Sequence, residues 1–140
     1  MRGSVMKLSL AFAVFGFGLT VMPIFAHHSV QQQYDTDKMV TIQGVVMKMV
    51  WVNPHARLWV DTDGAVSSWE IELPPPNALK IRNVKMDFVK EGDQVTVALW
   101  RAKDGSRLGH ALTLTAPDGR VMDFSRIMGL RWTPSFGQKK

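Results

Sequence analysis

From residue 40 onward, apolar and polar residues alternate with a period of two in several short runs, the signature of strands half-buried against a core. Residues 40–52 form the first run. β-Branched side chains dominate it, and Gly44 in its middle marks a place for a bulge or sharp bend. Asn53-Pro54 ends the strand, because proline cannot donate to a ladder and asparagine suits turns, so 53–56 is expected as a connecting loop. Residues 57–62 resume as a second strand with Leu58 and Val60 on one face and Arg57, Trp59 and Asp61 on the other. Asp63-Gly64 turns the chain into 66–73, where Trp69, Ile71 and Leu73 alternate with Ser68, Glu70 and Glu72. Pro74-Pro75-Pro76 cannot continue that strand, and Asn77 is placed to cap a short helix over 77–82. Residues 94–101 and 108–115 supply a fourth and a fifth strand, joined by the Lys103-Asp104-Gly105-Ser106 turn. His110, Leu112 and Leu114 share the core-side face of the fifth.

Three strands, a short helix and two more strands is the order of an OB-like barrel with its helix between strands 3 and 4. The expected fold class is therefore mainly β, a small OB-like five-stranded barrel, with an open β-sandwich as the alternative. Closure would remove the exposed strand edges of a β-rich chain. The chain divides into a signal peptide over 1–26, an extended segment over 27–39, the barrel domain over 40–124 and a basic tail over 125–140.

The signal peptide is read from a different pattern. Arg2 and Lys7 precede an apolar run shorter than the roughly 20 residues needed to span a bilayer, and Ala26 is a small residue suited to the cut. A retained anchor is the competing reading. Cleavage after Ala26 leaves a mature chain that begins His27-His28-Ser29 and carries about +3 rather than the formal +5 of the whole sequence. That charge is too small to argue for nucleic acid, whose binding rests on many phosphate contacts. The expected location is periplasmic or secreted. The absence of cysteine excludes disulfides, thiolate-bound metals and thiol nucleophiles.

No nucleophile elbow, phosphate-cradling glycine loop or paired zinc-binding histidines occur, so an enzyme is the least supported class. Glu70 and Glu72 point the same way and read as a solvated face, with a carboxylate pair as the alternative. Two of the four histidines would start the mature chain. A free α-amino group with the His27 ring can chelate Cu(II), His28 stands beside it, and His55 in the first loop is the best additional ligand. His110 is a weaker one because it shares a face with leucines. The alternative is a frayed terminus, a turn-capping His55 and a packed His110. A second candidate site combines Trp51, Asn53, His55 and Trp59 with Lys103, Asp104 and Ser106 across the barrel surface, where an aromatic ring flanked by polar groups can stack on a planar ligand. The partner would be an unidentified small ligand or protein. The tail, with Arg126, Arg131, Lys139 and Lys140 among apolar residues, is read either as a weak contact for a membrane surface or as a disordered end.

His27-His28-Ser29, Tyr34-Asp35, Trp51 with Asn53-Pro54-His55-Ala56, the run from Trp69 to Leu73, Pro76-Asn77-Ala78-Leu79 and Gly92-Asp93 together give the chain a resemblance to a family of small exported bacterial proteins, domain-of-unknown-function family 6152. The resemblance implies export and a compact β domain, and it points to His27, His28 and His55 as a shared site. It carries no activity. His110 and the basic tail lie outside the resembling motifs.

Overall fold

The structure, a computed structural model, describes residues 29–62, 64 and 68–129. The expected signal peptide, His27 and His28, the Asp63 turn position, Val66 and the tail from residue 130 lie outside the described residues. Eight elements follow in order: α1 (Val30–Gln33), β1 (Tyr34–Val50), β2 (Arg57–Asp61), β3 (Trp69–Glu72), α2 (Pro76–Ile81), β4 (Gln94–Ala102), β5 (Leu108–Thr115) and β6 (Val121–Asp123).

The fold is mainly β, and its pairing is ring-like. Antiparallel pairs run β3-β2-β1-β4-β5-β6, and β3 also pairs with β5 in parallel, so β1–β2–β3–β5–β4 returns to β1. The helix falls between β3 and β4 as the element order requires. A sixth strand joins the expected five. β3 covers Leu108, Gly109 and His110 of β5, leaving the rest of that edge to β6, which pairs with Thr113, Leu114 and Thr115. Three residues after a Pro-Asp-Gly turn carry too little alternation to be recognised, yet an uncovered edge favours such a pairing.

The ring encloses Ile42, Val46, Leu58, Val60, Trp69, Ile71, Val97, Leu99 and Leu114, while Leu79 of α2 packs into the same core with Leu73 and Phe88. The helix begins at Pro76, earlier than Asn77, because proline at the first helical position is already set to helical φ and has no N–H to lose. The Asn77 side chain accepts a hydrogen bond from the Ala78 N–H instead of capping from outside.

Gly44 serves close packing. The bulge on β1 lies further on, between Val46 and Lys48, which leaves Met47 as the extra residue. A Cβ at Gly44 would lie 2.8 Å from Val60 Cγ1 and closer still to the Asp61 carbonyl oxygen, so β2 crosses directly over this position. A second bulge falls in β5. Ala98 pairs with Thr113 while Leu99 pairs with Ala111, so Leu112 is the extra residue and the alternation shifts by one. His110 and Leu112 consequently do not share a face with Leu114, which points into the ring core.

Leu112 instead joins Tyr34, Trp100 and Ala102 in a second, smaller core outside the ring, with Val30 and Leu108 packed against it. β1 starts at Tyr34, well before the alternating run beginning at Val40, and its first residues lie across β4. The Lys103 N–H donates to the Gln33 carbonyl at 3.0 Å, and Lys103 Nζ donates to the Gln31 carbonyl at 2.7 Å. These bonds fasten the amino-terminal segment to the outside of the ring.

Replacing Gly44 by alanine forces β1 and β2 apart. The expected cost is about 1–3 kcal/mol, the range for overpacking a tight site. Urea unfolding monitored by tryptophan fluorescence checks it, and an unchanged midpoint would mean that the strands do not approach so closely.

Candidate functional site

The register of β2, β3 and β5 lays a polar patch across the outer face of the ring. Glu72 pairs with Arg57 of β2 on one side and with His110 of β5 on the other, while Glu70 pairs with Trp59 and Leu108. Paired positions share a face, so Arg57, Trp59, Glu70, Glu72, Leu108 and His110 all project outward. His55 reaches the same face from the loop before β2, and its Nδ1 contacts Glu72 Oε1.

One end of this face is buried. Glu72 is only 9% exposed, and its second oxygen accepts a 2.7 Å hydrogen bond from the Tyr34 hydroxyl. Burial and the adjoining carboxylate push the Tyr34 phenol far up, so it stays a neutral donor. His110, 2% exposed, stacks on Trp100 with ring centroids 6.2 Å apart and tilts against Tyr34 at 5.2 Å. Its Nε2 lies 2.8 Å from Met128 Sδ, and its Nδ1 is buried without a hydrogen-bond partner among the described residues. Burial lowers its pKa, with Glu72 opposing and His55 reinforcing that shift.

The other end is open. Arg57, Trp59, Ser68, Glu70, Ser106, Arg107 and Leu108 line a shallow groove of about 600 Å³. Arg57 and Glu70 form an ion pair along it, and Lys48 Nζ lies 5.4 Å from the centre of the Trp59 ring, close enough for a cation–π contact. The sequence-predicted site therefore divides. His55 and Trp59 both stand on the outer face, at the Glu72 network and in the groove respectively. Trp51 packs against the ring core, with its Nε1 buried and without a hydrogen-bond partner among the described residues, while Asn53 is exposed in the loop and joined to Pro54 by a cis peptide bond. Ser106 lines the groove. Asp104 accepts the Ser106 N–H at 2.9 Å within the turn, and Lys103 holds the amino-terminal segment.

The network's centre, Glu72, and its donor Tyr34 are the residues that sequence reasoning passed over. Glu72 follows the outward phase of Glu70 and was expected in solvent, but the amino-terminal segment covers it. The available signal was the single tyrosine of the chain, placed six residues before the alternating run that begins at Val40. A ring-like β domain with a capped carboxylate beside an open groove is thus the class that fold and site define. The family model described as "Family of unknown function (DUF6152)" matches residues 18–111, and the chain belongs to that family. No curated protein matches the sequence. The match takes in Tyr34, His55, Glu72 and His110 and stops before Met128.

Two outcomes follow from this geometry. Tyr34→Phe removes the hydroxyl that donates to Glu72 Oε2 and is expected to cost about 1–3 kcal/mol in chemical denaturation, with no loss expected if that oxygen is instead solvated. For His110 the folded pKa lies below the unfolded value of about 6.5. The unfolded chain therefore takes up the proton first, so the contribution to stability is full above that pH and declines as the pH falls toward the folded value. Thermal melting between about pH 7.5 and pH 5.5 should fall less in His110→Phe than in the parent protein. Identical slopes would mean that the imidazole is accessible to protons in the fold.

Proposed function

We propose that this chain is an exported, non-enzymatic binding or accessory module, working in the periplasm or outside the cell, with its ligand site on the outer face of β2, β3 and β5. The observation that carries the reading is the groove of about 600 Å³ in which Trp59 lies among Arg57, Glu70 and Ser106. Its volume suits a small molecule or a short peptide, and its combination of one aromatic surface with paired charges suits a planar polar ligand. The buried Glu72 network beside the groove holds β2, β3 and the amino-terminal segment in fixed relation, so the site is formed before a ligand arrives. The pattern of residues 1–26 supports export. A library of planar polar compounds, screened by tryptophan fluorescence, tests the proposal. Trp59→Ala is expected to weaken any hit at least tenfold, and undiminished affinity would place the site elsewhere.

A second reading, a copper-binding role, is favoured by the orientation of His55. Its Nδ1 is occupied by Glu72, which leaves Nε2 as the available ring nitrogen on a side chain 33% exposed. A carboxylate on the far nitrogen is the usual support of a metal-bound imidazole. Among the described residues no three His, Asp or Glu side chains are grouped to hold a metal, so this reading depends on His27 and His28 at the processed amino terminus. Six residues lie between His27 and Tyr34, seven steps and at most about 24 Å of chain, and Tyr34 is hydrogen-bonded to the carboxylate that holds His55. Cu(II) titration of the exported protein, followed by electron spin resonance, is expected to show one nitrogen-ligated site lost both in His55→Ala and on deletion of His27-His28. Unaltered spectra in either variant would dismiss it.

A further inference from the structure

We propose a second binding site, separate from the outer-face groove, that takes an amphiphilic anion. A cavity of about 570 Å³ opens between the segment after α2 and the turn into β6, lined by Arg82, Asn83, Lys85, Asp87, Phe88 and the run from Arg120 to Met122. It shares no lining residue with the groove. Its size falls in the range of small-molecule sites.

The lining sorts by chemistry. Arg82, Lys85 and Arg120 bring three cations against one lining carboxylate, Asp87. Arg120 is held in place, ion-paired to Asp118 and lying 5.3 Å over the Phe88 ring. Phe88, only 7% exposed, and the half-buried Met122 supply an apolar floor continuous with the ring core. The lining also has an exposed apolar side chain: Val121 is 53% exposed. Exposed Val121 thus borders a cavity whose lining carries three cations and one carboxylate, with the charge of Arg120 shared with Asp118.

Cations beside exposed apolar side chains suit a ligand with a carboxylate or phosphate head and a hydrocarbon tail. Head and tail are both needed. The charge alone would stay hydrated, since exposed ion pairs contribute little, and the apolar floor alone would not select an anion. A free single-chain anion and the headgroup region of an anionic phospholipid present this same chemistry.

Calorimetry on the exported chain with decanoate at submicellar concentration tests the idea. Decanoate is expected to bind at least tenfold more tightly than decanol, and inorganic phosphate is expected to give no heat. R82E/K85E changes two exposed residues, so melting should be unaltered while decanoate affinity falls at least tenfold. Co-sedimentation of the same two proteins with phosphatidylglycerol and phosphatidylcholine vesicles distinguishes the sources. Binding of phosphatidylglycerol that the double variant loses identifies a lipid headgroup, and decanoate binding without it identifies a free anion. The basic tail is common to both proteins and cancels. Equal binding of decanoate and decanol, or a double variant that matches the parent in every arm, overturns the proposal. Trp59→Ala should leave decanoate binding intact, which keeps this test independent of the groove.

Discussion

A buried carboxylate is the constraint on which the outer face depends. Taking an ionised glutamate out of water costs several kcal/mol unless its oxygens find partners, and removing one partner from such a site is strongly destabilising. Among the described residues, Glu72 meets partners from different parts of the chain: His55 in the loop before β2, and Tyr34 from a segment 38 residues upstream. Satisfying Glu72 therefore requires the amino-terminal segment to lie against the ring. Once there, that segment shields Trp100, Ala102 and Leu112, which would otherwise leave an apolar patch on the outside.

The same residues take part in closing the ring. Glu70, Ile71 and Glu72 form the parallel ladder with Leu108, Gly109 and His110, the one pairing that converts a strip of strands into a ring. Gly109 sits in that ladder, and a side chain there would meet the end of the Leu99 side chain at 2.9 Å, so a larger residue requires Leu99 to shift. Long-range parallel pairing is costly in chain entropy, and the Tyr34–Glu72 hydrogen bond adds a further contact between distant parts of the chain. Site and fold are thus one construction, with the buried end of the patch supporting the open end.

Much of the architecture was legible in the alternation of side chains. The order of strands, the helix after the proline run and the inward set Trp69, Ile71 and Leu73 followed from period two and from residues that cannot continue a ladder. Three things were not legible, each for a physical reason. The bulge at Leu112 moved Leu114 away from the face of His110, and no residue type announces a bulge of that kind. Strand β6 was too short to show a period. Glu72 was read as solvated because a local pattern reports the face of a strand and cannot report what another segment later lays over that face. His55 and Trp59 stand out in the sequence because a loop histidine and an aromatic residue among polar neighbours are unusual locally, and both lie on the outer face. Tyr34 acquires its role only through a contact far along the chain.

The most direct test of the central claim is a double-mutant cycle between Tyr34 and Glu72, with stabilities measured by chemical denaturation for Tyr34→Phe, Glu72→Gln and the pair. If the phenol and carboxylate form one buried interaction, the effects are non-additive, with a coupling of about 0.5–3 kcal/mol. Additive effects would contradict the claim, because they would mean that the amino-terminal segment and the carboxylate are stabilised independently.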